Sequence, residues 1–206
     1  MFHEQVLSRN QENLASSFLP HFRDFFLVGG TAIALLLGHR RSIDFDLASP
    51  NPIRSFDLER KIKGLHVDIG RIVTAGSDEL SLFIDDVLVT FFSYPFPVEP
   101  KLLWPKNGLK MPDILSLAAM KAYALGRRNV WKDYVDLYFI LKDHFTVEEI
   151  IKKAEKIFLS NFNSRLFLEQ LCYFEDIDFS GEMDYLGTGP DDEEIKVFLT
   201  DCVRII

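Results

Sequence analysis

The period of hydrophobic and polar positions changes several times along this 206-residue chain, and each change marks an element. Residues 4–18 carry Val6, Leu7, Leu14 and Phe18 at loosely helical spacing and predict a helix. Residues 24–28 are a short, mostly apolar run ended by Gly29-Gly30 and predict a strand. The pattern turns helical over 31–37, and Gly38 is placed to stop that helix. Residues 43–47 then alternate apolar and acidic side chains, the period-two signature of a strand with one polar face. A helix over 56–63 closed by Gly64 follows, then strands over 66–73, 79–84 and 87–94, with Asp85-Asp86 as the turn between the last two. The stretch 95–113 holds five of the nine prolines and interrupts regular structure. Beyond it the strand signals fade. Helices are expected over 113–125, 131–143, 146–159, 165–174 and 192–203, the third opened by a capping box of Thr146 and Glu149. The chain therefore reads as α+β, with domains at 1–98 (mixed α/β) and 99–206 (helical).

The alternating strand raises a chemical question. Asp44 and Asp46 stand two apart, so both carboxylates leave the same face, while Ile43, Phe45 and Leu47 point the other way. Two adjacent carboxylates repel and share a proton unless a cation neutralises them. Such an oxygen pair suits Mg²⁺, which needs only one or two protein carboxylates when a substrate brings phosphate oxygens. Upstream, Gly29-Gly30 permits close approach of a triphosphate, and the following helix start offers free N–H groups and a favourable dipole. Either motif alone is weak. In this order and spacing they describe a nucleoside triphosphate held at a helix start and a metal held by Asp44 and Asp46.

Composition narrows the context. The chain is 48% hydrophobic and 26% charged, as ordinary globular proteins are. A net charge of −8 argues against capture of nucleic acid over the whole surface and leaves room for a local basic patch. Cys172 and Cys202 lie in apolar surroundings and read as small buried side chains of a reducing compartment rather than a disulfide. The polar beginning of the chain does not resemble a signal peptide, and no apolar run reaches the roughly 18 residues of a membrane span. A cytoplasmic protein without a membrane partner is expected. The acidic stretch 175–194 would repel RNA and reads as a solvated tail.

Val28-Gly29-Gly30, thirteen residues, then Asp44-Phe45-Asp46-Leu47 resembles the signature of the DNA polymerase β-type nucleotidyltransferase superfamily. The longer string GGTAIALLLGHRRSIDFDL is similar to the nucleotidyltransferase-like AbiEii toxins of abortive-infection and toxin–antitoxin systems. Met120-Lys121-Ala122 resembles that family's lysine helix, and 131-WKDYVDLYFIL-141 its last motif. The resemblance spans about 24–141. It implies a nucleotidyltransferase-like mixed sheet flanked by helices, followed by a helical C-terminal region. It implies that Asp44 and Asp46 ligate Mg²⁺ and that Gly29, Gly30 and Thr31 cradle the triphosphate. Arg40, Arg41 and Ser42 would contact phosphates or an RNA acceptor. Lys121 would contact the nucleotide, and Asp136, with Lys132 and Asp133 beside it, would act in catalysis or orient Lys121. His39, at a helix end where a cation suits the dipole, reads as structural.

One position departs from the pattern. The superfamily's third carboxylate, its usual base, belongs on the strand over 87–94, and the register there places Thr90. A threonine hydroxyl is no general base at neutral pH. Asp68 is the nearest substitute by sequence, against the plainer reading of an exposed strand residue. Two functions follow. One is an Mg²⁺-dependent enzyme that uses a nucleoside triphosphate to modify RNA, such as tRNA, or protein, as a toxin with a cognate antitoxin. The other is a degenerate relative that binds nucleotide or a protein partner without turnover.

Overall fold

The computed structural model of the chain describes residues 2–125 and 127–205. The chain divides into two compact units, residues 1–113 and 114–206.

In the first unit, among the described residues, seven strands form one sheet: β1 (Phe26–Val28), β2 (Asp44–Ser49), β3 (Ile69–Ala75), β4 (Glu79–Ile84), β5 (Val87–Ser93), β6 (Leu102–Leu103) and β7 (Lys110–Met111). Their order across the sheet is β3-β4-β5-β2-β1-β7-β6. The β2–β5 and β1–β7 pairs are parallel and the others antiparallel, so the sheet is mixed. The hairpin between β4 and β5 turns on Asp85 and Asp86, both at positive φ (47° and 63°), a conformation that suits a two-residue turn and that aspartate tolerates.

The proline-rich stretch is less irregular than its composition implies. β7 pairs with β1 and β6 pairs with β7, so residues beyond 98 extend the sheet of the first unit. Two-residue strands carry no readable period, which is why the expected boundary at 98 differs from the division after Asp113.

Phe45, Leu47, Val89, Phe91, Leu80 and Leu82 all project from one face of the sheet and are buried. Phe91 packs there against Phe22 (ring centroids 4.8 Å) and Phe25 (5.2 Å). The helix expected over 4–18 is a short 3₁₀ turn followed by α1 (Arg9–Ser17), because Ser8 and Gln11 form a capping box that restarts the chain. α2 (Gly29–Leu37) ends at Gly38, whose φ of +70° supplies the left-handed stop. α3 (Ser55–Lys63) buries only Leu58 and Ile62, the narrow apolar stripe of a surface helix.

The second unit contains α4 (Ile114–Ala124), α5 (Trp131–Asp143), α6 (Val147–Phe158), α7 (Ser164–Leu171) and α8 (Asp192–Arg204). Thr146 and Glu149 make the capping box that opens α6. The acidic stretch 175–194 is not a solvated tail. Asp178 pairs with Val130, Ile177 is buried, and Phe179 lies 4.8 Å from the Trp131 ring, so the segment is strapped to the start of α5 with its charges outward. Both cysteines are free, but Cys172 is exposed and Cys202 half-buried, not the buried side chains expected. Cys172 caps the C-terminus of α7 and Cys202 lies in the last turn of α8, where hydrophobic neighbours in sequence do not by themselves bury a side chain. Among the described residues, no helix is long and apolar enough to cross a membrane.

Candidate active site

The polar face of the sheet is built by register. Val28, the last residue of β1, sits opposite Asp46, and Asp46 pairs on its other side with Thr90 of β5. Because β1 ends there, Gly29 turns out of the strand beside Asp46 with φ +71° and opens α2. Asp44 and Asp46 are both half-buried on the same face, while Phe45 and Leu47 between and beyond them are fully buried. The alternation 44-DFDL-47 is therefore a division between solvent-side chemistry and core.

The glycine pair is seated against these side chains. A Cβ on Gly29 would lie 2.1 Å from Asp46 Oδ2, and one on Gly30 would lie 2.5 Å from Arg40 Nη2 and 3.2 Å from Ser42 Oγ. Only the missing side chains let the start of α2 close over the second aspartate on one side and Arg40 on the other. Val28 offers no side-chain cap, and the start of α2 stands next to the Asp46 and Arg40 side chains. Thr31 is buried, and its hydroxyl donates to the Asp44 carbonyl and lies 2.9 Å from Ser42 Oγ. Ser42 Oγ is in turn 3.4 Å from Asp44 Oδ1. Thr31 and Ser42 thus lock α2 to β2. Arg40 is buried and donates to the Arg41 carbonyl at 2.9 Å, whereas Arg41 and Ile43 are exposed. His39 is buried just after the left-handed turn that ends α2.

The donor set fits Mg²⁺. Two hard carboxylates share a face beside a cradle that a single Cβ would fill. Among the described residues no group of three or more His, Cys, Asp or Glu side chains could hold a metal. Asp44 and Asp46 therefore suit an ion that takes its remaining ligands from substrate oxygens and water.

Thr90 does occupy the strand position beside Asp46. Asp68 is exposed just before β3, and β4 and β5 separate that strand from β2. It does not join the aspartate pair. The polar face instead extends through two residues that sequence reasoning missed. Ser81 of β4 pairs with Thr90, with the hydroxyl oxygens 3.1 Å apart, and Ser81 Oγ donates to Glu79 Oε1 at 2.8 Å. The alternation of Glu79, Ser81 and Phe83 with buried Leu80, Leu82 and Ile84 marks them as one face. Cross-strand register, which places them beside Thr90, is not local information.

The second unit gathers the other predicted residues. Lys121 of α4 is buried and paired with Asp133 Oδ1 at 2.6 Å and Asp136 Oδ2 at 2.8 Å. Asp133 and Asp136 stand three apart on α5, so they present one helix face to the lysine. Arg128 adds a two-pronged contact to Asp133, at 2.7 and 2.9 Å. Two carboxylates and two cations balance charge in a site where an uncompensated one would be expensive. Asp136 thus holds Lys121 in place. Lys132 lies outside this cluster, against Gly181.

The mixed sheet and its flanking helices form a nucleotidyltransferase-like fold. MenT4, described as a nucleotidyltransferase toxin of Mycobacterium tuberculosis, superposes with a TM-score of 0.62 at 13% identity, covering 94% of this chain and 80% of that one. JHP933 of Helicobacter pylori superposes with a TM-score of 0.57 at 16% identity, covering 100% and 93%. At these identities the likeness is one of fold. In sequence, the uncharacterized protein aq_aa25 of Aquifex aeolicus is 32% identical over 189 residues, 88% of this chain and 87% of its own length. The chain belongs to the family of that Aquifex protein. No protein-family profile matches it.

Proposed function

We propose that the protein is an Mg²⁺-dependent nucleotidyltransferase that uses a nucleoside triphosphate to modify RNA, such as tRNA, or a protein. The observation that carries this reading is the seating of Gly29 on Asp46 and of Gly30 on Arg40 and Ser42, beside a second carboxylate on the same strand face. Asp44 and Asp46 hold the metal, which when bound neutralises phosphate charge as it shifts during transfer. The N–H groups at Gly29, Gly30 and Thr31 cradle the triphosphate. The Thr31 and Ser42 hydroxyls keep the carboxylates and the helix start in one geometry, and Arg40 and Arg41 supply positive charge beside it. Lys121 contacts the nucleotide from its place between Asp133 and Asp136, and Asp136 orients it. MenT4, which shares the fold, is a nucleotidyltransferase toxin, and with the AbiEii-like sequence motifs this supports a toxin acting in the cytoplasm with a cognate antitoxin.

A second reading has its own observation. Thr90 at the third acidic position favours a relative that binds nucleotide without transferring it. Calorimetry with nucleoside triphosphates and Mg²⁺, run beside transfer of label into total RNA or lysate protein, separates the two. Binding with transfer is expected. Binding without transfer selects the second reading, and absence of both rejects the site.

A further inference from the structure

The polar face of the sheet does not end at Thr90 but continues through Ser81 to the carboxylate of Glu79. Thr90 is the in-register neighbour of Asp46, one strand spacing away, about 4.8 Å. Ser81 is the neighbour of Thr90 on the following strand, and its hydroxyl lies 3.1 Å from that of Thr90. Ser81 is buried, yet its Oγ also bonds Glu79 Oε1 at 2.8 Å. Glu79 itself is exposed at the start of β4.

Proton counting orients this chain. An ionised carboxylate only accepts, so the single Ser81 hydroxyl proton points to Glu79. The Ser81–Thr90 bond is then made by the Thr90 proton, and the Thr90 Oγ1 lone pairs remain able to accept from a further donor. A hydroxyl of an acceptor molecule, attacking a nucleotide held at Asp44 and Asp46, is such a donor.

We propose that Thr90, Ser81 and Glu79 form a proton relay that serves as the general base of the reaction. This rests on the nucleotidyl-transfer reading above. As the acceptor oxygen forms its bond to the α-phosphorus, the bond from that phosphorus to the bridging oxygen breaks, and pyrophosphate leaves with the electron pair. The acceptor proton passes to Thr90 Oγ1, the Thr90 proton to Ser81 Oγ, and the Ser81 proton to the Glu79 carboxylate. Exposed Glu79 then returns it to water. Thr90 touches the reacting hydroxyl. Ser81 and Glu79 act through it.

The test measures initial rates of label transfer from nucleoside triphosphates with Mg²⁺ into total RNA or lysate protein. Wild type is compared with Glu79→Gln, Ser81→Ala, Thr90→Asp and the double variant E79Q/T90D, each checked for folding by circular dichroism. Glu79→Gln and Ser81→Ala should lower kcat by about 10²-fold and leave the nucleotide KM unchanged, the size of a lost general base. Thr90→Asp places a carboxylate where the relay begins, so E79Q/T90D should recover most of the rate that Glu79→Gln loses. A purely structural Glu79 would show no such rescue. Transfer by Glu79→Gln at the wild-type rate overturns the relay, as does a double variant no faster than Glu79→Gln. A wild type that binds nucleotide and transfers nothing overturns both the relay and the enzymatic reading, which distinguishes the two failures.

Discussion

Gly29 and Gly30 meet different neighbours, and the difference predicts different consequences of the same substitution. A methyl group at Gly29 lands 2.1 Å from Asp46 Oδ2 in a backbone of φ +71°, so Gly29→Ala is opposed by both contact and conformation. It should destabilise the protein by at least about 1–2 kcal/mol in urea unfolding, and it should weaken nucleotide binding in the presence of Mg²⁺ by displacing Asp46, the proposed metal ligand. A methyl group at Gly30 meets no positive φ, but it lies 2.5 Å from Nη2 at the far end of buried Arg40 and 3.2 Å from Ser42 Oγ. Gly30→Ala should therefore destabilise the protein less than Gly29→Ala while still weakening nucleotide binding; equal destabilisation by both variants would contradict the geometry. The two cysteines also diverge. Cys172 is exposed, whereas burial, with Asp201 and Glu148 nearby, pushes the Cys202 thiol up. Because the thiolate is the reactive form, native thiol titration should show one fast group and one slow group, with Cys172→Ser abolishing the fast one.

At the scale of elements, much was legible because the signal was local. Helix α5 spans Trp131–Asp143 as its periodicity predicts, and Thr146 with Glu149 opens α6. The strand from Asp44 declares its polar face by alternation, and Gly38 ends α2. What was not legible depends on partners distant in sequence. β6 and β7 exist only because β1 offers an edge, and Glu79 joins the polar face only through the β4–β5 register. The Lys121 cluster was half legible: the i,i+3 spacing of Asp133 and Asp136 is in the sequence, their closure on one lysine is not. That closure is testable. Asp136→Ala strips a buried lysine of one of its two carboxylate partners and should cost about 3–5 kcal/mol in denaturant unfolding. Replacing both partners, as Lys121→Met with Asp136→Leu, removes the unpaired charge and should recover most of that loss, with Asp133 still held by Arg128. A double variant as unstable as Asp136→Ala would show that the lysine is needed for more than charge balance.

For the whole molecule, one face of one sheet carries the proposed chemistry, from the glycine-seated Asp46 through Thr90 and Ser81 to Glu79. Its opposite face is a continuous apolar surface of Phe45, Leu47, Val89 and Phe91. A net charge of −8 leaves recognition of an acceptor to local features such as exposed Arg41 rather than to the global field. The central claim is that Asp44 and Asp46 serve nucleotidyl transfer. Its most direct test is the incorporation of label from nucleoside triphosphates with Mg²⁺ by wild type, Asp44→Asn and Asp46→Asn proteins of equal fold. Incorporation by wild type and its loss in both variants is the predicted result; incorporation that persists in either variant, or none by wild type, would contradict it.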